Sequence, residues 1–150
     1  MSQDGPGIHL ETSVGYLLKE ASSALRSAME AVLRPLGMTI THYSCLELLA
    51  QRPGLSSSDL ARGTFVTRQS MNVLLQALER DGLVTRAEQA TTGRVLPTEL
   101  TDAGRRQLAT ASAAVRGVED RMKSGMDETE QTVFADLLAR SITSLRGARP

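Results

Sequence analysis

The 150-residue chain is 41% hydrophobic but only 3% aromatic, which suits one ordinary domain, or a small domain with helical extensions, cored by leucine, alanine, valine and methionine. Its formal net charge is zero, which excludes a global attraction to polyanions and leaves any nucleic-acid contact to local charge. One cysteine excludes an internal disulfide or a multi-cysteine metal site, and no leader-like start or long apolar run occurs, so a cytoplasmic protein without membrane contact is expected.

Residues 1–9 read as a flexible lead. From Leu10 a long helical pattern runs through Val14, Leu17, Leu18, Ala21, Leu25, Met29, Val32 and Leu33, weakened at Gly15 and ended by Pro35 and Gly37. Ala21, Ala24, Ala28 and Ala31 allow a neighbour to approach it closely. Thr39 caps a second helix through Gln51, with Ile40, Tyr43, Leu46, Leu49 and Ala50 inward, and Arg52-Pro53-Gly54 closes it. Ser56 and Asp59 form a capping box for a short third helix that turns Leu60 and Ala61 inward.

Thr67 caps a fourth helix over residues 68–81, whose buried face is Met71, Leu74, Leu75 and Leu78. Gln69, Asn72, Val73 and Gln76 remain on the other side, with Arg68 and Ser70 in the first turn. Such a face suits the major groove. Gln69 and Asn72 can pair with adenine, Arg68 with guanine or a phosphate, Val73 with a thymine methyl, while Thr67 caps and can touch a phosphate. Gly82 stops the helix. Leu83-Val84-Thr85 and Arg94-Val95-Leu96 read as two strands around a polar tip, with Pro97 at an edge position that needs no donor. Two short helices followed by this strand pair predict a winged helix-turn-helix. Arg62 and Arg86 flank it as phosphate contacts, and Arg94 on the wing reaches backbone or minor groove. Across this stretch Arg52, Arg62, Arg68, Arg80, Arg86 and Arg94 outweigh Asp59, Glu79, Asp81 and Glu88, a modest basic excess that binds strongly only when two copies act together.

Thr101 opens a fifth helix with the stripe Leu108, Ala111, Val115, Val118 and Met122, broken by Gly125. Asp127 with Glu130 caps a last helix in which Val133, Phe134, Leu137, Leu138, Ile142 and Leu145 stay apolar up to Gly147. The expected class is therefore mainly α with a small β wing and six helices. Residues 10–36 and 101–147 form a dimerisation layer around a head at 39–100; the alternative is that these helices cover one another within a monomer. No nucleophile–base pair, phosphate loop or paired carboxylates point to an enzyme, and no cofactor is implied. His9 and His42 are too few for a metal site. Cys45, among apolar positions in the middle of the second helix, reads as an inert buried thiol rather than a redox sensor.

Four segments resemble the MarR family of bacterial winged-helix transcription regulators: Gly37-Met38-Thr39; Pro53-Gly54-Leu55-Ser56 with Asp59-Leu60-Ala61; residues 78–84, Leu-Glu-Arg-Asp-Gly-Leu-Val; and Leu100-Thr101-Asp102-Ala103-Gly104. They stand in the family's order and intervals, and the resemblance as a whole runs from about residue 17 to 145. The resemblance implies a six-helix subunit, an obligate triangular homodimer, a pseudo-palindromic duplex DNA operator, and repression usually relieved by a small ligand or by oxidation. It also implies an effector cleft for aromatic or phenolic ligands, for which Tyr16, Met29, Met38, His42 and Tyr43 are candidates. The chain departs from the family at the wing tip, where Asp-x-Arg is replaced by Thr92-Gly93-Arg94, so Arg94 loses the carboxylate that holds it. The sensing cysteine that some relatives carry in the first helix is absent. Competing readings are a winged-helix protein-interaction module without DNA binding, and a constitutive DNA binder without effector.

Overall fold

The computed structural model describes residues 7–86 and 97–147. Helix α1, Val14–Leu33, starts later than the pattern from Leu10 suggests, because Ser13 caps it by accepting a hydrogen bond from the Tyr16 N–H. A 3-10 turn at Arg34–Leu36 follows, and Gly37 adopts the left-handed conformation (φ +72°) that lets the chain reverse. Helix α2, Ile40–Gln51, is capped by Thr39 as expected. Its inward positions are Cys45, Leu46 and Leu49; Ala50, expected inward, is exposed, at the edge of that stripe in the last turn of the helix.

Helix α3, Ser57–Thr64, carries the complete Ser56–Asp59 capping box, and helix α4, Arg68–Arg80, is capped by Thr67, whose hydroxyl accepts from the Ser70 N–H at 3.0 Å. Asp81 is the C-cap of α4 rather than its last residue, and Gly82 follows in a left-handed conformation (φ +76°). Strands β1, Val84–Arg86, and β2, Thr98–Leu100, pair antiparallel with Val84 opposite Leu100. The described part of the returning strand is Thr98–Leu100, after Pro97; Arg94-Val95-Leu96, expected to start it, lie outside the described residues. Strand β2 is not an edge. Its Thr98 N–H donates to the Leu55 carbonyl and its carbonyl accepts from the Gly54 N–H, so the segment after α2 closes the side that β1 leaves open. Pro97, without a donor, fits only at the entry to such a strand.

Helix α5 spans Asp102–Lys123 and α6 spans Glu128–Arg146, the latter capped by the Asp127–Glu130 box. The chain divides within α5 into two compact units, Met1–Val115 and Arg116–Pro150. In the first, Leu33, Leu46, Leu60, Met71, Leu75 and Val84 are almost completely excluded from solvent and form the centre of one core, joined by Leu108 and Ala111 of α5. In the second, α6 buries none of its residues, and Phe134, Leu137 and Ile142 are exposed. Met122, expected on the buried stripe of α5, is exposed as well. On α1, Val14, Leu17 and Leu18 are also open to solvent, so a single chain leaves apolar surface on α1 and α6 uncovered.

One polar group in the core stands out. Thr98 is fully buried and its hydroxyl finds no hydrogen-bond partner among the described residues. A buried donor left unpaired costs about 1–3 kcal/mol. Thr98→Val, of nearly the same shape, is therefore expected to raise stability by about 1 kcal/mol, read as a higher urea midpoint at unchanged slope. A lower midpoint would show that the hydroxyl is paired in solution.

Candidate nucleic-acid interface

The turn between α3 and α4 is tightly made. Phe65 is left-handed (φ 60°), and its N–H reaches the carbonyls of Ala61 and Arg62, while the Val66 N–H donates to Ala61 at 3.1 Å. This closes α3 and aims α4 across it. With Met71, Leu75 and Leu78 anchored in the core, Arg68, Gln69, Ser70, Val73 and Gln76 are left exposed on the opposite side. The outward face predicted from periodicity is present. Thr67 is exposed, and its hydroxyl donates to the Ser70 hydroxyl at 2.9 Å, so both serve the cap before any ligand.

Asn72 differs from its neighbours. It is half-buried, and its side-chain carbonyl accepts from the Ser57 hydroxyl of α3 at 2.5 Å. Ser57 was not among the sequence candidates, and nothing local marks it, since its partner lies fifteen residues away.

The cations sort into free and held. Among the described residues Arg68 makes no ion pair, whereas Arg62 pairs with Asp59 and Arg86 with Glu79 at 3.3 Å. The exposed Arg62–Asp59 pair contributes at most about 1 kcal/mol, so Arg62 can exchange its carboxylate for a phosphate, whereas the Arg86 side chain is only 22% exposed and is held more firmly. Hydrogen bonds from Ser56, aided by Arg62, hold the Asp59 carboxyl below its ordinary range. Its folded value lies under the unfolded one, so the cap's contribution is present above the ordinary carboxylate range and lost as pH falls through the lowered value. Arg94 lies outside the described residues.

A groove of about 490 Å³ lies beside this turn, between α1, α2 and the end of α3. Leu25, Met29, Ile40 and Val66 supply apolar wall, Ser22, Thr41, Ser44 and Thr64 supply hydroxyls, and Arg26 supplies a cation paired at 3.4 Å with Glu30. Of the five residues expected to line an effector cleft, only Met29 is in this wall. Tyr16 is exposed, Met38 is 5% exposed and belongs to the core, and His42 and Tyr43 lie off the α2 stripe formed by Ile40, Thr41 and Ser44. The α1 part was legible: Ser22, Leu25, Arg26 and Met29 repeat at helical spacing on one face. Burial holds the His42 imidazole below its ordinary value, opposed by the Asp81 carboxylate. No group of three potential metal ligands occurs among the described residues, and no helix among them is long and apolar enough to cross a membrane.

Cys45 is buried, with its thiol 4.0 Å from the Met71 sulfur, and burial pushes its pKa up to about 12. The nucleophilic thiolate is therefore scarce at neutral pH. The raised value makes this contribution to stability complete below the ordinary thiol pKa, and it declines only as pH rises through the alkaline range. At pH 8 a maleimide is expected to label Cys45 in denaturant and leave the native protein unmodified. Rapid native labelling would restore the redox reading.

Similarity to known proteins agrees with this geometry. A MarR family model matches residues 36–95. The chain is 39% identical to the HTH-type transcriptional repressor Rv2887 of Mycobacterium tuberculosis over 89% of its own length and 96% of the relative's. The crystal structure of that MarR family protein in complex with DNA superposes with a TM-score of 0.75 at 36% identity, covering 88% of this chain and 99% of the other. The same protein is also known in complex with salicylic acid, with a TM-score of 0.71 at 38% identity, covering 93% and 98%. The transcriptional repressor CouR bound to a 23-mer DNA duplex gives a TM-score of 0.80 at 28% identity, covering 95% and 100%.

Proposed function

The chain belongs to the MarR family, and from that membership we propose that it is a homodimeric transcriptional repressor of a pseudo-palindromic operator, released by a small aromatic anion. The observation that carries the DNA-binding reading is the exposed face of α4, where Arg68, Gln69, Val73 and Gln76 stand on a helix anchored by its buried side. In the dimer, two such helices enter successive major grooves about one turn apart, and repression is steric. Arg94 of each wing adds a contact to backbone or minor groove. Residues 39–100 act as the head, and the uncovered apolar surfaces of α1 and α6 join two subunits. The role is regulatory rather than enzymatic.

The groove beside α3 is the effector site in this reading. Apolar walls, hydroxyls and one arginine suit an aromatic ring bearing a carboxylate. Its wall includes Gly63, Thr64, Phe65 and Val66, which lead directly into the Thr67 cap, so an occupant acts on the entry to the recognition helix.

The test is binding to the DNA flanking the protein's own gene at near-physiological salt, against scrambled duplex. A two-fold protected site bound about a thousandfold more tightly than scrambled DNA is expected. Equal, salt-sensitive binding to both duplexes would leave only a backbone binder. With the operator in hand, salicylate is expected to release the wild type, and Arg26→Ala to raise the concentration needed about tenfold while operator affinity is kept. An unchanged salicylate response would move the effector elsewhere.

A further inference from the structure

The Ser57–Asn72 contact changes what α4 can read. An asparagine amide offers one carbonyl oxygen as acceptor and an NH2 group as donor. Pairing with adenine uses both, the carbonyl accepting from the adenine amino group while the NH2 donates to N7. In this chain the Asn72 carbonyl is turned toward α3 and bound at 2.5 Å by the Ser57 hydroxyl, in a partly buried setting. The NH2 is then the group left to present outward, beside Val73, which is 63% exposed.

We infer that Ser57 is a specificity-determining residue: by keeping the Asn72 carbonyl turned toward α3, so that its second lone pair is not presented beside the NH2, it makes Asn72 a donor-only reader that selects guanine over adenine. Guanine presents two acceptors in the major groove, O6 and N7, whereas adenine presents N7 beside a donor that would face the Asn72 NH2. Thymine, with O4 alone, is intermediate. Ser57 touches no base in this account. It acts through Asn72, and the inference rests on α4 entering the major groove.

Selection from a pool of random duplexes tests it with four full-length proteins: wild type, Asn72→Ala, Ser57→Ala and Ser57→Thr. The symmetric base pair at which Asn72→Ala loses its preference identifies the position that Asn72 reads. There the wild type is expected to favour guanine over adenine by about tenfold, Ser57→Ala to lose or reverse that preference, and Ser57→Thr, which keeps the hydroxyl, to retain it. Ser57 is the first residue of α3, where alanine is well tolerated, so the melting temperature and dimer should be kept. Adenine preferred by the wild type at that position would overturn the inference. So would a Ser57→Ala profile identical to wild type, or an Asn72→Ala variant that flattens no position. Those outcomes leave the repressor reading intact. Failure of the wild type to enrich any sequence would instead remove that reading and the inference with it.

Discussion

Arg68→Ala is expected to weaken operator binding at least about thirtyfold while the dimer and its melting temperature stay unchanged. The size follows from a loss of about 1 kcal/mol or more at each of two symmetric contacts, or about 2 kcal/mol per dimer. Arg68 occupies the first turn of α4, is exposed, and makes no ion pair among the described residues, so no internal contact is lost with it. Arg62→Ala is expected to do less, because the Arg62–Asp59 pair already neutralises that charge. Salt titration separates the two modes of contact. If Arg68 meets a phosphate, the salt slope falls by about one per subunit and all sequences suffer alike; if it meets guanine, discrimination at one base pair is lost. Operator affinity equal to wild type would remove α4 from the groove and favour the interaction-module alternative.

Gly104→Ala is expected to lower stability by about 2 kcal/mol, although alanine is the better helix former. A Cβ at this position would overlap the Leu83 carbonyl oxygen and lie 3.1 Å from its carbonyl carbon. Both are backbone, and Leu83 has little freedom to retreat: its N–H donates to Leu78 and its carbonyl accepts from the Thr101 N–H. The Thr101 hydroxyl, which donates to the Gly82 carbonyl and accepts from the Gly104 N–H, ties the start of α5 to the same turn. The methyl must therefore push α5 from β1 or break this knot. At fixed protein concentration the melting temperature should fall roughly 4–8 °C. Gly117→Ala, in the same helix but with nothing within 4 Å of its Cβ, is the control and should not destabilise. A Gly104→Ala protein as stable as wild type would mean that the close approach is not maintained in solution.

Much of the architecture was legible along the chain. Ser56, Thr67, Thr39 and Asp127 all cap where expected, and the buried side of α4 follows its periodicity through Met71, Leu75 and Leu78. A cap joins a side chain to an N–H three residues on, and a buried stripe repeats every turn, so both are written in neighbouring residues. The exposed half of the candidate interface came with them, since a helix that buries one face must offer the other.

What the sequence left undecided lies in contacts between distant residues. The resemblance marked Gly104, but the reason for a glycine is the Leu83 carbonyl of another element. The outer side of β2 at Thr98 is covered only because Gly54 and Leu55 come alongside to take its hydrogen bonds. Asn72 looked like a free groove residue until α3 brought Ser57 against it, and Arg86 until β1 laid it beside Glu79. The groove takes its walls from three helices, and the stripe chosen on α2 depends on how α1 and the α3–α4 turn lie across it. Local pattern sets which helices form and which face each buries, because those free energies are settled within a turn or two. Which polar groups remain available for DNA or effector depends on what each meets across a helix crossing, and only folding brings those partners together.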